Sequence, residues 1–366
     1  MVETRTLRVG IIGASADAGW ARVSHVPAIK TLGGLELAAV ANRDQESADA
    51  AAKAYDIPAA FGDALAMIRD PAIELVSVVV RVPAHREYVL AAIAAGKHVY
   101  CEWPLGRNTA EADEMLQAAR VGGVKVAIGL EARGLPALQR ARALIASGAI
   151  GRVLSARVLS ATVAWGPKLP EAERYAEDPK SGVDLQTVQG AHTLDLISAV
   201  LGELTDVSAL LSTQYPQVRV GEAVEPQARI TPDHMLVQAG IVGGVPINVE
   251  VAGGRPPATP FLFEIVGDKG LLTIEGGAPR GVQSGRLSVL LNGERQHLDE
   301  GEAVGLPDEA AGVTGIYAQL RDDILHGTAT APDFVDALRL ARLVDDVTTS
   351  SHEGRRMPTR DWPRAL

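Results

Sequence analysis

The sequence predicts an N-terminal α/β domain built on a parallel sheet, followed by an α+β domain with a large open, mostly antiparallel sheet. Two observations predict this. Over the first third of the chain, short apolar runs alternate with helical stretches, which implies parallel strands joined by right-handed crossovers. From Leu204 to Leu291, one strand pattern follows another with glycine turns and no helix between, which implies antiparallel pairing. The length of 366 residues suits two domains. The expected ranges are 1–130 and 131–366.

The elements follow in order. Leu7 to Ile12 is a buried strand closed by Gly13. Trp20 to Leu32 reads as one helix with an irregularity at Pro27, Leu35 to Ala41 as a strand, and Gln45 to Tyr55 as an alanine-rich helix. Leu75 to Val80 is nearly all β-branched, the pattern of a central strand buried on both faces. Arg86 to Ala95 is a helix ended by Gly96, Val99 to Cys101 a strand, Ala110 to Val121 a helix, and Lys125 to Gly129 a strand. A helix over Leu135 to Ser147 then leads into the strand Arg152 to Ala161. A loop with Pro167, Pro170 and Pro179 precedes a helix over Leu185 to Val200. Helices near Thr314 to His326 and Pro332 to Ser350 close the chain, and Arg280 to Gly285 and Glu300 to Gly312 read as surface loops.

Composition narrows the function. A formal net charge of −10 argues against a nucleic-acid footprint. No apolar window approaches the roughly 20 residues of a membrane span, and Met1 to Arg8 is polar, so cytoplasmic residence is expected. The lone Cys101 excludes an internal disulfide, and the 8 scattered histidines give no metal-ligand spacing.

The turn after the first strand carries the first chemical signal. It reads Gly10-Ile-Ile-Gly13-Ala-Ser15-Ala-Asp-Ala-Gly19-Trp20. A glycine turn between a buried strand and a helix lets backbone amides approach a pyrophosphate, with the helix N-terminus adding partial positive charge. The fingerprint is imperfect: Ser15 stands at the second glycine position, and Gly19 lies one residue beyond the third. With the surrounding βαβαβ pattern it implies a Rossmann domain for a nicotinamide dinucleotide. At the end of the second strand, where an acidic residue would take the ribose 2′-hydroxyl of NAD, the chain has Asn42-Arg43-Asp44. Arg43 suits the 2′-phosphate of NADP, whereas Asp44 keeps NAD open.

Further motifs point to a family. Arg81-Val-Pro83-Ala-His85 follows the central strand, and Ala95-Gly-Lys-His-Val-Tyr-Cys-Glu102-Trp103-Pro104 follows the next helix. With Gly148-Ala-Ile150-Gly151, Gly182…His192…Asp195, Ile265-Val-Gly-Asp-Lys-Gly-Leu271 and Ser350…Gly354-Arg355, the chain resembles the Gfo/Idh/MocA oxidoreductases over nearly its whole length. The family patterns are T-P-x-x-x-H, A-G-K-H-V-x-x-E-K-P and D-x-G-x-H.

The resemblance implies NAD(P)-dependent hydride transfer to or from a CH–OH group of a sugar, polyol or related carbonyl compound. It implies that Pro83, His85, Glu102 and Trp103 join Gly13, Ser15, Gly19, Trp20, Asn42 and Arg43 around the cofactor. Two polar groups of the family are missing. Trp103 stands where the lysine of E-K-P would be, and Val188 replaces the aspartate of D-x-G-x-H. Oxidising an alcohol requires a group to take the hydroxyl proton, and neither side chain does so. The retained His192 is the first candidate, with Asp195 on the same helix face to orient it or to serve structure. Lys168 and Tyr175, on the proline-rich loop, are the others. Trp103 either stacks on a ring or fills the space of the lysine.

Both departures, with Gly19-Trp20-Ala21…His25-x-Pro27, resemble the branch of the family that contains the yeast galactose-regulon repressor. That branch implies the alternative: a catalytically silent dinucleotide sensor acting through a protein partner. Family sheets of this kind pack face to face, which implies a homodimer or homotetramer. Leu204 to Leu211 and Pro246 to Ala252, poor in charge, suit that face.

Overall fold

In the computed structural model, residues 5–223, 225–255 and 261–359 are described. The chain divides into two units, Met1–Gly134 with Gly301–Leu338, and Leu135–Glu300 with Arg339–Leu366.

The first unit begins with β1 (Leu7–Ile12), α1 (Trp20–Val23), α2 (His25–Thr31), β2 (Leu35–Ala41), α3 (Gln45–Tyr55), β3 (Ala59–Phe61) and α4 (Ala64–Arg69). It continues with β4 (Leu75–Val78), α5 (His85–Ala94), β5 (His98–Glu102), α6 (Thr109–Gly122) and β6 (Val126–Gly129). The strands form one six-stranded sheet in the order β3-β2-β1-β4-β5-β6, every pair parallel. The order reverses between β1 and β4, which opens the ligand crevice of a doubly wound sheet beyond the strands' carboxyl ends.

The helix expected over Trp20 to Leu32 is two helices. Ser24 breaks it, its hydroxyl donating back to the Trp20 carbonyl at 2.6 Å. Pro27 sits in the first turn of α2, where its missing N–H has no intrahelical partner to lose. The short β3 and α4 carry no strong periodic signal and are not foreseen from the sequence.

The second unit contains α7 (Pro136–Ala146), β7 (Val153–Ala161), β8 (Lys168–Leu169), α8 (Ala191–Leu201), β9 (Leu204–Ser212), β10 (Gln217–Val220) and β11 (Gln227–Ala228). Then come β12 (His234–Ile241), β13 (Val245–Ala252), β14 (Phe261–Gly267), β15 (Leu271–Gly276), β16 (Leu287–Leu291) and β17 (Glu294–Arg295). The chain closes with α9 (Asp308–His326), α10 (Phe334–Glu353) and β18 (Met357–Pro358). Nine strands form a sheet in the order β17-β16-β15-β14-β7-β13-β12-β9-β18, antiparallel except at β7–β13. Its strands alternate. Met235, Val237, Val249, Val251, Phe263 and Ile265 are buried on one face, whereas Leu159, Leu210 and Leu236 are exposed on the other. Leu236 lies opposite Leu210, and through Glu250 the row continues to Leu159.

Three sequence expectations need correction. Residues 301–338 group with the first unit, not with the second domain expected over 131–366. The cause is α9, whose Val313, Ile316, Tyr317 and Leu320 are buried in the same core as Val9, Ile11, Leu37 and Val40. Gly312 and Gly315 let α9 lie against the turn Glu131–Gly134: a Cβ on either would overlap the carbonyl oxygen of Glu131 or Gly134. Glu300 to Gly312 is therefore not wholly a surface loop, since α9 begins at Asp308 and Ala310 and Ala311 are buried. Nor is Arg280 to Gly285, where Val282 and Ser284 are buried in a 3-10 turn.

Candidate functional site

The glycine turn is shaped by close contact. Gly13 has φ +96°, and a Cβ there would overlap the Val79 carbonyl oxygen at the end of β4. No other residue type fits. Gly19 also has a positive φ, +97°, but open space surrounds it, so only its backbone angle calls for glycine. Side chains brace the turn from the far side. The Asn42 amide donates to the Ala14 carbonyl at 3.0 Å and to the Ser47 carbonyl at 2.9 Å. The Tyr55 hydroxyl donates to the Ser15 carbonyl. Trp20, half-buried, opens α1, and its buried indole N–H meets no hydrogen-bond acceptor among the described residues. Because α1 is only 4 residues long, its dipole is small, and the anion-binding character falls to the backbone amides of the turn.

The acidic residue beyond β2 is already engaged. The Asp44 carboxylate caps α3 by accepting the Ser47 amide at 2.8 Å, and these Ser47 hydrogen bonds hold its carboxyl below the usual carboxylate range. Arg43 touches Asp44 through Nε at 3.0 Å, with its side chain 90% exposed. The crevice therefore offers a guanidinium where the adenosine ribose of a dinucleotide would lie. A turn in which position 13 admits no Cβ, backbone amides and an exposed guanidinium edge together fit the group.

At the ends of β4 and β5 the arrangement differs from expectation. His85 does not face the crevice. It is fully buried, with Nδ1 2.9 Å from the Pro104 carbonyl and Nε2 2.9 Å from that of Val80. Burial pushes its pKa down. It ties two turns together and holds no ligand directly. Pro83 is exposed at the head of α5, and Trp103, joined by a cis peptide to Pro104, is 8% exposed.

A buried chain of hydrogen bonds ends at Glu102. Its Oε1 is 2.8 Å from His25 Nε2; His25 Nδ1 is 2.7 Å from the Tyr317 hydroxyl, which is 2.8 Å from Ser77 Oγ. Tyr100 stacks on Tyr317 with ring centroids 4.5 Å apart. Burial raises both phenol pKa values well above the usual range. Nothing in the sequence marks His25 for this role, since its partners are remote along the chain.

In the second unit, a π-helical turn, Gln186–Gly190, leads into α8. It carries the half-buried Val188, and the helix expected over Leu185 to Val200 is regular only from Ala191. His192 and Asp195 lie in the first turns of α8, 4% and 3% exposed. Lys168 lies in β8, exposed, and Tyr175 in a 3-10 segment, half-buried. Arg229, which sequence reasoning missed, fastens the loop that bears them. Its guanidinium is fully buried, 2.9 Å from Glu177 and 3.2 Å from Asp233. It also donates to the Trp165 and Gly166 carbonyls at 2.6 and 2.8 Å. Among the described residues there is no cluster of three or more His, Cys, Asp or Glu able to hold a metal. No described helix is long and apolar enough to cross a membrane.

A doubly wound sheet with this glycine turn defines an NAD-binding Rossmann protein. The profile described as "Oxidoreductase family, NAD-binding Rossmann fold" matches residues 7–130, and that described as "Gal80p, C-terminal domain" matches residues 136–276. The chain belongs to the Gfo/Idh/MocA oxidoreductase family, in the branch that resembles Gal80. It is 34% identical to "Dehydrogenase aclE" of Aspergillus oryzae over 75% of this chain and 78% of that protein. It is 27% identical to the "Galactose/lactose metabolism regulatory protein GAL80" of Saccharomyces cerevisiae over 74% of this chain and 67% of that one. Among solved structures, a levoglucosan dehydrogenase complexed with NADH and L-sorbose superposes with a TM-score of 0.82 at 23% identity, covering 98% of this chain and all of that one (100%).

Proposed function

We propose that the chain is an NAD(P)-dependent oxidoreductase acting on a CH–OH group of a sugar, polyol or related carbonyl compound. The observation that carries this reading is His192, the one group retained from the family's polar set. Its imidazole is suited to proton transfer near neutral pH. When bound, the nicotinamide supplies a hydride acceptor or donor at C4. His192 takes the hydroxyl proton in the oxidising direction, with Lys168 and Tyr175 as further proton-handling or hydroxyl-binding candidates. Gly13, Ser15, Gly19 and Trp20 form the diphosphate turn, braced by Asn42. Pro83, Glu102 and Trp103 border the nicotinamide half, and His85 supports it from inside. The exposed leucine row of the nine-stranded sheet supports a homodimer or homotetramer through that face.

Trp103 and Val188 support a second reading, a silent dinucleotide-binding regulator. Turnover separates the two. The purified chain, loaded with NAD(P)(H) and offered a panel of sugars and ketones, should change its nicotinamide absorbance. His192→Ala should lower kcat by on the order of a hundredfold or more. Tight cofactor binding with no turnover on any panel member would favour the regulator.

Arg43 supports NADP over NAD, because its exposed guanidinium can pair with a 2′-phosphate. Arg43→Ala should weaken NADP binding about tenfold and NAD binding less than about twofold, as read by calorimetry. Equal losses would remove the phosphate role.

A further inference from the structure

We infer that Glu102, fixed by His25, biases the cofactor site toward the oxidised dinucleotide and away from the reduced one. The inference rests on the dinucleotide reading above. In a doubly wound sheet the strands beyond the switch point form the second mononucleotide half, and Glu102 is the last residue of β5 in that half. The nicotinamide ring is cationic when oxidised and neutral when reduced, so a fixed carboxylate beside it distinguishes the two forms by charge alone.

The geometry keeps that carboxylate charged and still. An ionised carboxylate can only accept, so across the 2.8 Å contact Glu102 takes its hydrogen bond from His25 Nε2. In the neutral tautomer with hydrogen on Nε2, Nδ1 accepts from the Tyr317 hydroxyl at 2.7 Å, and that oxygen can accept from Ser77 Oγ at 2.8 Å. Each donor in the chain then points toward Glu102, and the aligned dipoles favour its anion. His25, Tyr317 and Ser77 are fully buried, whereas the Glu102 side chain is 14% exposed, so the carboxylate is the end of the chain that opens outward. Room for it is left at Gly129, where a Cβ would lie 2.8 Å from Glu102 Oε1 and 3.0 Å from Glu131 Oε1. Glu131, 1% exposed, packs its Oε1 beside the same glycine.

Calorimetric titration of the full-length chain with oxidised and reduced dinucleotide tests this. Glu102→Gln keeps an acceptor for His25 and removes the charge. It should weaken the oxidised form about tenfold relative to the reduced form. Glu102→Asp keeps the charge and should leave the ratio within about twofold. His25→Phe, which releases the carboxylate, should shift the ratio in the same direction as Glu102→Gln, by less. Equal weakening of both forms in Glu102→Gln would mark a structural role and overturn the inference. So would equal ratio shifts in Glu102→Gln and Glu102→Asp. Glu102→Met, of similar length, replaces the amide if that variant melts below the assay temperature, with the same readings. Absence of binding by either form to the wild-type chain would instead defeat the dinucleotide reading.

Discussion

Replacing Arg229 with methionine should destabilise the second unit by about 3–5 kcal/mol. The guanidinium is fully enclosed, with Glu177 4% and Asp233 0% exposed on either side. Removing it strands two carboxylates in the interior and leaves the Trp165 and Gly166 carbonyls without their donor. The Asp233 carboxylate also accepts the Gln214 and Tyr215 amides at 2.7 and 2.8 Å. The variant therefore loosens the Trp165 loop and the turn before β10 together. Thermal unfolding should show a midpoint lower by on the order of 10 °C. The triple variant Arg229→Met, Glu177→Gln, Asp233→Asn should recover part of the loss, because the stranded charges are gone. A drop in the single variant below about 1 kcal/mol would mean that the carboxylates find water or another partner.

Gly13→Ala should reduce dinucleotide affinity at least about a hundredfold. The added methyl would overlap the Val79 carbonyl, and the residue would be held at φ +96°, where a side chain costs on the order of 1–3 kcal/mol. Relief requires the ends of β1 and β4 to part, which widens the crevice at the switch point. Gly19→Ala meets only the backbone penalty, since open space surrounds its α-carbon. It should cost about tenfold. Fluorescence titration with reduced cofactor reads both variants; comparable effects at the two positions would show that close approach at Val79 is unimportant.

The first unit was legible where elements are long and their ends are marked. β1, β2 and α3 occupy their expected ranges. β1 ends at the glycine turn, and Asp44 caps α3. The sequence points to Pro27 rather than Ser24 for the break because proline is the conspicuous helix breaker, whereas a serine hydroxyl bonding back to a carbonyl leaves no pattern. The candidate site was legible as motif positions but not as contacts. His85 stands near the motif's histidine yet faces two buried carbonyls, a distinction set by the tertiary path of Pro104. His25 meets Glu102 across 77 residues and Tyr317 across 292, separations that no periodicity reports. Arg229 reads in the sequence as an ordinary surface arginine; only the fold around Trp165 and Glu177 buries it. The substitutions at Trp103 and Val188 stood out because the surrounding motifs are intact.

The return of α9 to the first core has a consequence for how the chain matures. As it leaves the ribosome, the leading sheet can pair its six strands once Gly129 has emerged, but the cavity for Tyr317 and Leu320 stays empty while the whole following unit is made. During that interval Ser77 and His25 lack the hydroxyl that joins them, and apolar core surface faces solvent. The nascent chain should therefore be a client for chaperones until α9 has been made, and its first unit should resist protease only after residue 326 is out of the exit tunnel.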